Sequence, residues 1–89
     1  MKVQNMESNR SNRPVANQFI ITDGNVEYFQ SYKTIIAKKD YLTGITTIDK
    51  NNPYSKTTSK YLYQFVGTDS KQFKTKLRDG KYQIADLNK

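Results

Sequence analysis

The densest concentration of chemically usable side chains lies between residues 54 and 81. Lys71, Lys74 and Arg78 recur at intervals of three and four, a spacing that on a helix gathers them within roughly 60° of one another. Just upstream, Tyr54, Lys56, Lys60 and Tyr63 interleave aromatic rings with ammonium groups. Ammonium groups attract phosphates and displace their counterions, and phenol rings stack on bases, so the combination points to nucleic-acid binding. Arg10 and Arg13 add two guanidinium groups near the N-terminus, in a segment able to follow a phosphate groove. The alternative is that these cations form an ordinary solvated face, with Tyr61 and Tyr63 turned to a core. Lysine outnumbers arginine twelve to three, which disfavours sequence-specific base reading, where bidentate arginine is the usual tool.

Charge distribution supports the same region. Residues 1–49 carry six Lys/Arg against five Asp/Glu, and residues 50–89 carry nine against three, so +6 of the +7 net charge falls in the second half. Such a surface suits phosphate backbones, anionic surfaces or acidic protein patches. The segment from Pro53 to Tyr61 offers several hydroxyls and two lysines at a helix start, able to hold a phosphate or, more simply, to cap the helix.

Catalysis finds little support. With no cysteine and no histidine, thiol nucleophiles, thiolate metal sites and the usual general base are excluded, and no cofactor or metal is expected. The carboxylates Asp23, Glu27, Asp40, Asp49, Asp69, Asp79 and Asp86 are scattered over predicted turns and element ends, where aspartate initiates turns and caps helices. Gly24, Gly44, Gly67 and Gly80 are too dispersed for a phosphate loop. The reading is therefore non-enzymatic. The start of the chain has no apolar leader and no run approaches a membrane span, so a soluble, unprocessed cytoplasmic protein without membrane contact is expected.

The elements that must position these residues follow from local patterning. Leu, Ile, Val and Phe total only 19 residues, and seven tyrosines are needed to complete a thin core. Residues 1–16 lack periodicity and are read as a flexible basic arm, with a single domain over 17–89. Phe19–Thr22, an Asp23-Gly24-Asn25 turn and Val26–Tyr32 predict a hairpin. Val26, Tyr28 and Tyr32 are assigned inward, leaving Phe29 to cover an edge.

Thr34–Ala37 is apolar on both parities, which implies a strand buried on two sides or a bend, ended by Lys38, Lys39 and Asp40. Tyr41–Ile48 reads as a further strand, with Gly44 as a bulge or turn. After Pro53 the period changes to that of a helix. Tyr61, Leu62, Phe65 and Val66 share one face between an N-cap at Thr57 or Thr58 and a stop at Gly67. A second helix runs from a cap at Ser70 to Asp79, anchored by Phe73 and Leu77, and Tyr82–Leu87 closes the fold as a strand. The class is α+β: a small antiparallel meander of three to five strands, with two short helices before the last strand.

Three stretches also carry a resemblance: Asn17–Ile21, Tyr28–Ala37 with its Ser-Tyr-x-x-Ile-Ile-Ala run, and Tyr54–Tyr61 with its Tyr-Ser-x-Thr-Thr-Ser-Lys run, followed by Phe65. Together they resemble a recurring family of small uncharacterised domains of bacteriophages and other mobile elements, over residues 17–88. The resemblance implies a phage-type origin and a host-cytoplasmic setting, and it supplies no catalytic or binding residues. It adds an alternative to nucleic-acid binding: an anti-defence or host-takeover inhibitor, anti-CRISPR-like, that docks on a host protein complex through exposed aromatics such as Phe29, Tyr41 or Tyr54. A third reading is an assembly component that oligomerises through an edge strand.

Overall fold

The computed structural model describes residues 1–8, 13–51 and 54–88. Six strands, β1 (Lys2–Glu7), β2 (Pro14–Asp23), β3 (Val26–Ser31), β4 (Thr34–Asp40), β5 (Ile45–Asp49) and β6 (Gln83–Ala85), form one sheet in sequence order. Helices α1 (Lys56–Val66) and α2 (Ser70–Arg78) lie between β5 and β6. The first five strands pair antiparallel, and β6 joins β5 in parallel. A parallel neighbour cannot be reached by a tight turn, and the two helices supply the crossover. The α+β class with two helices before the last strand thus stands, and the sheet has six strands and one parallel pair where a fully antiparallel meander of three to five was expected.

The extra strand is β1. Residues 2–7, expected within a flexible arm, pair with β2 from Lys2↔Thr22 to Asn5↔Phe19. The pattern missed it because five of its six residues stay exposed and only Met6 enters the core. Its order comes from backbone pairing rather than from an apolar face. The predicted hairpin is present: Gly24, at φ +62°, takes the left-handed position of the β2–β3 turn.

The orientation of β3 is the reverse of the sequence expectation. Phe29 is fully buried and stacks on Phe65 of α1, with ring centroids 5.8 Å apart. Ser31 is buried beside it, while Tyr32 stands 60% exposed in the β3–β4 turn at φ +56°. Both parities of β3 carry apolar groups, so only the placement of α1 decides which face is covered. In β4 the double-sided apolar run is explained by a bulge. Phe29 pairs with Ala37 and Gln30 with Ile35, so the unpaired Ile36 and its neighbour Ala37 both join the core. Lys38, Lys39 and Asp40 continue β4 rather than end it, and residues 41–44 turn into β5.

Both helices start earlier than the sequence suggested. Ser55 caps α1, its hydroxyl accepting from Thr58 N at 3.3 Å, and Gly67 ends it at φ +77°. Thr58, one of the two expected caps, is instead buried with its hydroxyl 3.0 Å from that of Ser31. Asp69, not Ser70, caps α2 in a reciprocal arrangement with Gln72. Tyr61, Leu62 and Phe65 press α1 onto the sheet. Lys39 Nζ donates to Phe65 O at 2.9 Å, and Gln64 Nε2 donates to Glu7 O at 2.9 Å, so α1 is tied to both β4 and β1.

Candidate nucleic-acid interface

Helix α2 is held to the protein by one side only. Phe73 is buried between Tyr63 and Tyr82, with centroid separations of 5.1 and 5.3 Å, and Leu77 is half-buried one turn later. The remaining arc is solvent-exposed and carries Lys71, Lys74, Lys76 and Arg78. Taking Lys71 as reference, Lys74 and Arg78 lie about 60° and 20° to one side, and Lys76 about 140° to the other. The structure therefore brings together the predicted trio Lys71, Lys74 and Arg78.

It also adds a residue that the helical projection had set apart. A cleft of about 480 Å³ opens between Gly67 and α2, lined by Lys71, Gln72, Thr75 and Lys76. Lys76 belongs to the basic surface through this cleft, which exists only because the α1–α2 turn at Gly67 folds back beside the second helix. Lys81 follows, also exposed.

Opposing charge is sparse. Among the described residues Lys71, Lys74 and Lys76 make no ion pair, and Arg78 meets only Asp79, Nε to Oδ1 at 3.5 Å, on an exposed surface where such pairs contribute little. Asp69 is occupied as the α2 cap, accepting from Gln72 N at 2.7 Å.

The other predicted site residues fall into distinct environments. Lys56 and Lys60 are exposed on α1, and the Lys60 ammonium lies 5.4 Å from the centre of the Tyr61 ring. Tyr63 is half-buried against Phe73, so its ring serves helix packing and is not a free platform for a base. Arg13 is exposed at the start of β2, with its carbonyl accepting from Ser8 N at 3.0 Å. Arg10 lies outside the described residues, as does Pro53.

Four hydroxyls of the 54–61 segment, those of Tyr54, Ser55, Thr58 and Ser59, bond within the protein. Ser55 caps α1, Ser59 Oγ donates to Tyr54 O at 3.3 Å, and Tyr54 OH donates to Asp49 at 2.8 Å. The helix is capped, by Ser55 rather than by the threonine expected for that role.

Of the aromatics expected to be exposed for docking, only Tyr41 is, at 59%. Its hydroxyl donates to Glu27 at 2.6 Å, and that hydrogen bond, with some burial, raises its pKa. Phe29 is in the core, and Tyr54 is half-buried.

Asp49 is the group whose role sequence reasoning missed. Its backbone position at the end of β5 was legible as a turn initiator, and Asn51 N does donate to Oδ2 at 3.2 Å. The carboxylate is also fully buried and gathers distant partners: Leu87 N at 2.9 Å and Asn88 Nδ2 at 3.2 Å on Oδ1, with Tyr54 OH and Asn51 Nδ2 on Oδ2. Burial pushes its pKa up, but the hydrogen bonds from Leu87, Tyr54 and Asn51 outweigh that and hold it below the ordinary carboxylate value. Five hydrogen bonds from the protein's own donors make it a structural anchor that ties the end of β5 to Tyr54 and to the C-terminal residues Leu87 and Asn88.

The fold and this surface define a class: a small α+β domain in which α1 packs on one face of a six-stranded sheet and α2, seated on Tyr63 and Tyr82, presents a lysine-rich outer side. The chain belongs to a family of unknown function, DUF8033, whose model matches residues 1–82. That span includes β1 and both helices. No curated protein and no solved structure matches the chain.

Proposed function

We propose that the protein binds nucleic acid non-enzymatically through the outer side of its helical layer. The observation that carries this reading is the group Lys71, Lys74, Lys76 and Arg78: four exposed cations around one short helix, three of them without an acidic partner among the described residues. Each phosphate neutralised there releases condensed counterions, so binding is driven by entropy and is independent of base sequence. Lys56 and Lys60 on α1 and Arg13 just before β2 are further exposed cations that add to the positive charge of the protein.

The test is fluorescence anisotropy of labelled DNA and RNA at about 50 and 200 mM salt, a range over which phosphate-driven affinity falls steeply. Micromolar or tighter binding that weakens with salt, and is lost in a folded Lys71→Glu, Lys74→Glu, Arg78→Glu variant, supports the reading. Failure to bind at the lower salt removes it.

A second reading, an inhibitor that docks on a host protein, is favoured by a different observation. Helix α1 packs on the side of the sheet that carries Phe29, and strand register places Val3, Ile21, Tyr28 and Lys38 in a row across the opposite side. Val3 is 59% exposed, and Ile21 and Tyr28 are half-buried. A discrete protein complex insensitive to salt, and lost in Tyr28→Glu, would support this reading.

A further inference from the structure

The arrangement of charge around α2 distinguishes the form of nucleic acid it fits. This step rests on the nucleic-acid reading above. The cations do not form a single stripe: Lys74 lies on one flank of the helix and Lys76 on the other, about 160° apart about the axis, with Arg78 between Lys74 and the crest. Lys71 and Thr75 sit on the crest between the flanks, and the cleft beside Gly67 keeps the Lys76 flank open. A single strand lying along one flank leaves the opposite charge unused. Two backbones, one on either side of the helix, satisfy both.

The surface also lacks what holds single strands. Stacking on aromatic rings supplies much of single-strand affinity. The only aromatic residue of α2 is Phe73, which is buried, and the neighbouring rings of Tyr63 and Tyr82 pack against it. Dimensions agree with a groove. A helix with its side chains is about 10–12 Å across, and nine residues run about 13 Å. The major groove of B-form DNA is about 12 Å wide and admits a helix, whereas that of A-form RNA is too narrow for side chains to read.

We infer that the ligand is duplex DNA, with α2 lying along a groove and its two flanks contacting the phosphates of both strands. Lys74 and Arg78 face one backbone, Lys76 faces the other, and Lys71 reaches either from the crest.

The experiment measures salt-dependent anisotropy for a duplex DNA, its separated strand and a duplex RNA of the same sequence. The proteins compared are the unaltered chain, Lys74→Gln and Lys76→Gln, each checked by circular dichroism for an unchanged fold. Four phosphate contacts predict a slope of log K against log salt near −3.6, a loss of about 150-fold between 50 and 200 mM for duplex DNA. Three contacts to a single strand predict about −2, a loss of about 20-fold. Both variants should shallow the duplex slope by about 0.9.

A single strand or an RNA duplex bound as tightly as duplex DNA overturns the inference and leaves nucleic-acid binding intact. A duplex slope that responds to Lys74→Gln but not to Lys76→Gln overturns the two-flank geometry. Absence of binding to all three at about 50 mM salt overturns both this inference and the reading beneath it.

Discussion

Replacing Asp49 by asparagine changes one oxygen into an amide and nothing in size, yet it should be among the most damaging single substitutions in the chain. Oδ1 accepts from Leu87 N and Asn88 Nδ2, and Oδ2 from Asn51 N, Asn51 Nδ2 and Tyr54 OH. An amide cannot accept on both sides. In its less costly orientation the oxygen keeps the three bonds of Oδ2 and the NH₂ faces the Leu87 and Asn88 donors, so two bonds to a charged acceptor are replaced by donor–donor opposition. At about 1.5–3 kcal/mol for a hydrogen bond to a charged group, less the relief of burying no charge, the net cost is about 3 kcal/mol.

For a domain of this size that corresponds to a fall in Tm of about 12–24 °C. The Asn88 side chain also holds Ile35 N and O at 2.7 and 2.9 Å, so loosening the tail should release the start of β4 as well.

Urea titrations at pH 7 and at about pH 3 test both the size and the electrostatic origin of this cost. The folded pKa of Asp49 is depressed, so its contribution is present above the ordinary carboxylate pKa of about 4 and is lost as pH falls through the folded value. The stability difference between the two proteins should therefore narrow in acid. A cost below about 1 kcal/mol at pH 7, or a difference that does not change between the two pH values, would refute the reasoning.

Two further outcomes follow from the same structure. Asp69→Ala removes the α2 cap at a cost of about 1 kcal/mol, and at low salt it should tighten DNA binding because one of two acids beside the basic helix is gone; weaker binding by the folded variant counts against the proposed surface. In alkali, Tyr54 and Tyr82 have raised phenol pKa values, Tyr54 through burial and then its bond to Asp49, Tyr82 through burial. Their contribution is full below the ordinary phenol pKa of about 10 and is lost as pH rises through the folded values, so phenolate absorbance should rise together with unfolding above that pH, and Tyr54→Phe should weaken the coupling.

Local chemistry was readable without any coordinates. The Asp23-Gly24-Asn25 turn, the stop at Gly67, the apolar stripe Tyr61, Leu62 and Phe65 and the charge trio of α2 depend on positive φ and on a period of 3.6, both properties of a few consecutive residues. Caps were misplaced by one to three residues because Ser55, Thr57, Thr58, Asp69 and Ser70 all have the oxygen that capping needs, and only backbone geometry selects among them.

Tertiary structure decided everything that required two distant segments to meet. Phe29 rather than Tyr28 faces inward because α1 settles on that side of the sheet, and β1 is a strand because β2 offers it a ladder. Ile36 is buried through a mismatch in length between β3 and β4. Asp49 became an anchor only when Leu87 and Asn88 arrived beside it, and Lys76 joined the basic surface only when the chain turned at Gly67 to open a cleft. Composition fixed how much positive charge the second half would carry, but the direction each charge faces is set by packing, since a side chain's exposure depends on what the rest of the chain buries against it.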